Sequence, residues 1–192
     1  MKTIETTLFE FNELSETAKK IAIINERDEQ EICLDYFNEG ANEQINEAGF
    51  VGNVSLCYSL SYSQGDGLSF ECDYFNKLKD LFIDILGVGK EKTIDGIINN
   101  LSFENSGNTG CYCYASRKDI SLELNNYYAK NNDNLDAIIS KVEAKLQDIY
   151  LELCKNLENQ GYQEIEYQQS DEFIIENFEA NKCFFTKNGN KY

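Results

Sequence analysis

The spacing of apolar residues changes period several times along the chain, and each change predicts a new element. Residues 2–11 (KTIETTLFEF) alternate and are rich in Thr, Ile and Phe, the pattern of a half-buried strand. Leu14, Ala18, Ile21 and Ala22 follow at helical spacing behind Ser15, which suits an N-cap, with Glu16 favourably placed in the first turn. A second helix is predicted from about 28 to 48, with Ile32, Tyr36, Phe37, Ala41, Ile45 and Ala48 on its apolar face and Gly49 as its stop. Two β-rich runs, 50–62 and 68–75, flank Ser63-Gln64-Gly65-Asp66-Gly67 and predict a hairpin. Leu78, Leu81, Phe82, Ile85 and Leu86 mark a short helix closed by Gly87, and Ile94, Ile97 and Ile98 one or two further helical turns.

Two or three more strands are predicted over 101–104, 110–116 and 119–125, with turns at 105–108 and 116–119 and an Asn-rich loop at 125–134. Leu135, Ile139, Val142, Leu146, Ile149 and Leu153 then recur at 4-3-4-3-4 spacing, predicting a helix over 134–159 that Gly161 ends. The run is too short for a coiled-coil seam and suits a helix packed on a sheet. The tail predicts a strand at 163–167, a helix at 171–179 capped by Ser170, and a strand at 182–187 before a turn at Gly189. This order fits one α+β domain over residues 1–192, with a mainly antiparallel sheet packed against several helices, one of them long and in the C-terminal half.

Composition narrows the function classes. The 192 residues carry 34 acids against 17 bases, a net charge of −17, with no His, Pro or Trp. That balance counts against a surface that grips a nucleic-acid backbone, which needs Lys and Arg. The absence of His removes Ser-His-Asp and Cys-His nucleophile systems and mixed-ligand zinc sites. With 42% apolar and 12% aromatic residues the chain can bury a core. No window offers the roughly 18 apolar residues of a membrane span. The opening residues lack an apolar signal-peptide core, so a cytoplasmic protein is expected. Few Arg among the bases, with abundant Asn, Ile, Phe and Tyr, points to AT-rich coding and hence a low-GC bacterium or a virus that grows in one. Cysteines stand at 33, 57, 72, 111, 113, 154 and 183 with no C-x-x-C pair, so free thiols packed as small apolar residues are expected. Cys111 and Cys113 would share one strand face.

The placement of the acids is more informative than their number. Glu31, Asp35, Glu39, Glu43 and Glu47 fall at strict i, i+4 spacing. On a helix they form one negative row rising about 6 Å per step. Like charges at this spacing oppose each other, so a helix needing only solubility would place Lys among them. A second base-free stretch, 156–181, holds Glu158, Glu164, Glu166, Asp171, Glu172, Glu176 and Glu179. Charge at such intervals resembles the phosphate repeat of one nucleic-acid strand and would suit a basic groove. A solvated helix face explains the same residues.

Gly65-Asp66-Gly67 lacks the Gly-Lys-Ser/Thr of a phosphate loop and reads as a turn, whose neighbours Tyr58, Ser59, Ser61, Tyr62, Ser63 and Gln64 would make a recognition tip. Acid pairs such as Asp171-Glu172 and Glu71/Asp73 would serve as general acid and base or as metal ligands, but so acidic a chain produces such pairs by chance, and no EF-hand spacing is present. No catalytic residue, metal or cofactor is therefore expected.

Three stretches together resemble a group of small phage-encoded proteins often labelled antitoxins of toxin–antitoxin stability systems. They are Phe11-Asn12-Glu13-Leu14-Ser15-Glu16-Thr17-Ala18-Lys19; Tyr58-Ser59-Leu60-Ser61-Tyr62-Ser63-Gln64-Gly65-Asp66-Gly67 with Ser69-Phe70; and Ser170-Asp171-Glu172 leading to Phe185-Thr186-Lys187-Asn188-Gly189. The resemblance brings no catalytic residues. It implies a phage or prophage origin, and small acidic phage proteins are often inhibitors of host defence, CRISPR effectors included. The expectation is a non-enzymatic binder that blocks a host protein with a basic nucleic-acid-binding surface, a Cas effector subunit being the leading candidate, without contacting nucleic acid or membrane. Its contact residues would be Glu31, Asp35, Glu39, Glu43, Glu47, Tyr62, Gln64, Asp66, Asp171, Glu172 and Glu176. An antitoxin-like partner of a basic toxin and a carboxylate-dependent hydrolase of small substrates are the alternatives.

Overall fold

The computed structural model describes residues 7–106, 113–125 and 134–192. The expected strand positions 2–6 and 110–112 with Cys111, the turn positions 107 and 108, and the loop positions 126–133 lie outside the described residues. Among those described, the fold is α+β. Its helices are α1 (Glu16–Glu29), α2 (Asp35–Ala48), α3 (Leu78–Leu86), α4 (Glu91–Ile98), α5 (Leu135–Gln168) and α6 (Asp171–Ala180). Its strands are β1 (Phe9–Glu10), β2 (Phe50–Val51), β3 (Ser55–Ser59), β4 (Gly67–Glu71), β5 (Tyr74–Phe75), β6 (Leu101–Ser106), β7 (Asp119–Leu124) and β8 (Phe184–Phe185). Their pairing is antiparallel, in separate two-stranded ladders β1–β8, β2–β5, β3–β4 and β6–β7. The chain divides into two compact units, Met1–Leu34 with Tyr162–Tyr192, and Asp35–Gly161.

In the first unit, Ser15 caps α1 by accepting from the Ala18 amide at 3.3 Å, as its position predicts. The expected strand over 2–11 reaches only Glu10, because Phe11 enters a 3-10 turn (Phe11–Glu13) and buries its ring. That ring meets Phe178 at 5.2 Å, and Phe178 meets Phe185 at 4.9 Å. Leu14, Ala18, Ala22, Ile23 and Ile174 complete this core. Ser170 caps α6 through the Phe173 amide at 3.2 Å. The last strand is shorter than its apolar run, because the chain folds back at Gly189 (φ 87°), where a Cβ would lie 2.2 Å from the Ala18 carbonyl oxygen.

The helix expected from 28 to 48 is two elements. α1 ends at Glu29, residues 30–34 are not helical, and α2 starts at Asp35. Two causes are visible. Glu26, Asp28 and Glu29 crowd the C-terminal turn of α1, where the helix dipole disfavours negative charge. The buried Gln168 side chain then takes over the Cys33 backbone, accepting from its amide at 3.0 Å and donating to its carbonyl at 2.6 Å.

In the second unit, β3 and β4 form the predicted hairpin, with Ser55 opposite Glu71 and Ser59 opposite Gly67. Gly49 (φ 112°) ends α2, and Gly87 (φ 85°) ends α3, as expected. Phe50 packs its ring against Phe70 at 5.2 Å and Phe75 at 4.8 Å, and Tyr150 joins Phe70 at 4.6 Å. Of residues 113–116, expected in a strand, 113 and 114 are irregular and 115 and 116 lie in a 3-10 turn (Ala115–Arg117). They cross the outer face of β4 instead of extending its edge. Tyr114 and Cys113 cover Gly67, where a Cβ would meet the Tyr114 ring at 3.0 Å. Lys118, itself buried, pairs with Glu71.

α5 departs most from the heptad reading. Leu135, Ile139, Val142 and Leu146 are buried as expected, but the stripe continues through Tyr150, Cys154 and Leu157, leaving Ile149 and Leu153 half-buried. A straight helix of 3.6 residues per turn drifts away from a seven-residue repeat, so the burial follows the helix and not the heptad. Gly161 does not end α5. A Cβ there would lie 2.5 Å from Leu60 Cδ1 and 3.2 Å from Phe37 Cζ, so glycine admits two side chains against the helix. That packing offsets the roughly 1 kcal/mol intrinsic penalty of a helical glycine. Residues 163–167, which alternate like a strand, stay helical, with Ile165 and Gln168 buried one and two turns beyond Gly161.

One face of α5 also supplies hydrogen bonds to strand backbones. Glu143 accepts from the Leu122 amide at 2.8 Å, and Gln147 accepts from the Ile120 amide at 3.1 Å and donates to the Lys118 carbonyl at 3.0 Å. The Tyr150 hydroxyl accepts from the Phe70 amide at 3.1 Å and donates to the Phe70 carbonyl at 2.9 Å. Tyr150→Phe therefore strands a buried amide and should lower stability in urea unfolding by about 1–3 kcal/mol. Burial also pushes the Cys154 thiol up from 9.0 to about 12. The folded protein then keeps a proton that the unfolded chain releases, so stability falls as pH rises from 9.0 towards 12. Cys154→Ala should flatten that decline in urea midpoints measured across the range.

Candidate functional site

α2 packs through Phe37, Ala41 and Ile45, spaced one turn apart and buried. This orientation sends Asp35, Glu39, Glu43 and Glu47 into solvent as one row. The helix carries no Lys or Arg, and among the described residues none of the four carboxylates makes an ion pair. Lys77 reaches the end of the helix but donates to the Glu47 backbone carbonyl. The expected row thus survives over four of its five members. Glu31 belongs to the first unit, ahead of α2 and outside any helix, where it lines a groove of about 430 Å³ with Gln30, Cys33, Gln168 and Lys191.

Tyr36 was expected on the apolar face of α2 and is 83% exposed. The expected wheel began near residue 28. With α2 starting at Asp35, the buried stripe is 37-41-45, and Tyr36 lies with Glu39 and Glu43 at i+3 and i+7. It is an aromatic residue on the acidic face. Phe37 beside it meets the Tyr58 ring at 5.6 Å, which puts the first turn of α2 next to β3 and the hairpin.

The hairpin tip is organised around Asp66. Its buried carboxylate accepts from the Ser61 amide at 2.7 Å and the Ser63 amide at 3.0 Å. It also accepts from the hydroxyls of Ser59 at 3.0 Å, Ser61 at 2.9 Å and Ser63 at 2.9 Å. The Ser-x-Ser-x-Ser spacing is therefore the wall of an anion nest formed by the loop itself, and Asp66 is its centre. Asp66, one of the expected contact residues, thus turns its carboxylate inward and fixes the loop around it. Tyr62 is held in the left-handed region (φ 57°) and is 63% exposed. That conformation costs an L side chain roughly 1–2 kcal/mol and persists only where surrounding bonds enforce it. Gln64 is exposed, and its carbonyl accepts from the Tyr114 hydroxyl.

The tail acids divide by role. Arg27 pairs with Asp171, whose side chain stays 70% exposed, and donates to the Gln169 carbonyl at 2.8 Å. Glu164 accepts from Gln168 at 2.7 Å and Glu179 from Asn12 at 3.1 Å. Glu172 and Glu176 are exposed one turn apart on α6. Glu172 and Glu176 belong to the first unit and the α2 row to the second. Among the described residues no three acid or thiol side chains gather as a metal site would need, and no helix is long and apolar enough to cross a membrane.

Asp66→Asn keeps the shape but replaces a charged acceptor with a group that donates on one side. It should destabilise the protein by about 1–3 kcal/mol and release the tip. Limited chymotrypsin digestion should then cut after Tyr62 faster than in the parent chain.

Compared with known proteins, the chain matches no family model, no curated protein and no solved structure.

Proposed function

We propose that this chain is a non-enzymatic, stoichiometric inhibitor that lays α2 into the basic nucleic-acid channel of a host defence protein, a CRISPR–Cas effector being the leading class. One observation carries the reading: Asp35, Glu39, Glu43 and Glu47 form a solvent-facing row on a helix with no base to neutralise it. Such a row is unfavourable to the isolated helix by a few tenths of a kcal/mol per neighbouring pair. Lys and Arg lining a channel convert that repulsion into attraction, and steer the encounter from a distance.

Charge alone gives rate and register more than affinity, so a tight inhibitor also needs packed anchors. Tyr36 on the acidic face and Tyr62 on the stiffened tip supply aromatic surface in the same unit. The resemblance to phage-encoded proteins, carried by the string from Tyr58 to Gly67, supports a host-defence target over a housekeeping one.

The test is a competition assay with a purified effector complex and its labelled nucleic acid at physiological salt. The parent chain should displace nucleic acid, and Glu39→Lys with Glu43→Lys and Glu47→Lys should weaken displacement by about tenfold or more. The urea midpoint should hold, because all three positions face solvent. Full displacement by the reversed variant would remove α2 as the docking surface. Capture of a small basic toxin from host lysate, in place of an effector, would assign the antitoxin reading.

A further inference from the structure

We propose that Cys57 and Cys113 are a peroxide-sensitive thiol pair that closes into a reversible disulfide across the outer face of the hairpin. Cys57 lies on β3 opposite Ser69 of β4, so its side chain shares the face that residues 113–118 cross. The two sulfur atoms stand 3.2 Å apart. A disulfide needs about 2.05 Å, so side-chain rotation of about 1 Å closes the gap.

Cys113 lies against the strand face, and the residues that follow it are anchored there. Its backbone would touch a Cβ at Gly67 at 3.3 Å, and Tyr114 beside it anchors to the Gln64 carbonyl. Further along, Lys118 pairs with Glu71 on the same face. The approach of the two thiols is therefore a product of the strand face and of residues 113–118 that cover it. It does not depend on the proposed docking of α2.

The two thiols have different surroundings. Cys57 is exposed and meets a small oxidant first. Cys113 is partly buried, and burial together with the neighbouring Cys57 pushes its thiol up to about 11. Hydrogen peroxide would oxidise the Cys57 thiol to a sulfenic acid, its O–O bond breaking and one water leaving. The Cys113 thiol then attacks the Cys57 sulfur, the S–O bond breaks, and the hydroxyl leaves with the Cys113 proton as a second water. The product is the Cys57–Cys113 disulfide. In a reducing compartment a cellular dithiol returns it to the open pair, which is the behaviour of a sensor and not of a permanent staple.

The test uses the full chain treated with hydrogen peroxide, blocked with an alkylating agent and digested with chymotrypsin without reduction. Cleavage after Tyr112 separates Cys111 from Cys113, so the two are told apart. The expected product is a Cys57–Cys113 linked peptide that dithiothreitol abolishes. In Cys113→Ser the link is lost, and a sulfenic acid at Cys57 is trapped by dimedone. Cys57→Ser should leave Cys113 unmodified at the same peroxide dose. A link from Cys57 to any other cysteine, a link between chains, or passage of Cys57 to sulfinic acid without a link would overturn the proposal.

Discussion

A two-stranded ladder satisfies only the backbone groups that face its partner, and those on the outer edges still need hydrogen bonds. Among the described residues the second unit has the ladders β2–β5, β3–β4 and β6–β7 and no larger sheet, so this demand governs its construction. α5 meets it with side chains. Glu143 and Gln147, one turn apart, take the alternate amides of Leu122 and Ile120, and Tyr150 closes on both backbone groups of Phe70. Each of these residues sits beside a buried apolar neighbour on the helix, so one face both packs the core and completes the ladders. α5 thereby replaces the additional strand that a sheet would have supplied.

Seen against this constraint, the readable and unreadable parts of the sequence separate on physical grounds. Ser15, Ser170, Gly49 and Gly87 act through their immediate neighbours, and local chemistry was enough to place them. Gly161 carries the same residue type but answers to Phe37 and Leu60, more than a hundred residues away, so a local rule misread it as a stop. The alternation at 163–167 misled for a related reason. Its buried positions continue a stripe whose register is set by Tyr150 and Cys154 and not by the heptad upstream.

The candidate site shows the same division. Strict i, i+4 spacing made the α2 row legible, while the loss of Glu31 depended on Gln168 capturing the Cys33 backbone, a contact across 135 residues. Tyr36 was obscured because Ile32, four residues before it, suggested an apolar face that α2 does not have: Ile32 lies outside the helix, and the stripe is 37-41-45. Asp66 was read as a turn residue at a recognition tip and counted among the contact residues. The three serines around it, at alternate positions, were the signal that it faces inward. The closeness of Cys57 to Cys113 had no local signal.

The pairing of β1 with β8 has a consequence for synthesis. The first unit joins two segments distant in sequence: Phe9 lies opposite Phe185, and Lys191 reaches Glu26 at 2.9 Å from 165 residues away. The second unit is contiguous, from Asp35 to Gly161. A ribosome therefore delivers all the partners of the second unit before the first unit has its second half. At roughly 5–20 residues per second, α1 waits about 7–30 seconds for the segment that covers Phe11 and Ala22. The apolar stripe of Ala18, Ala22 and Ile23 stays uncovered over that interval, until Phe178 and Phe185 are made.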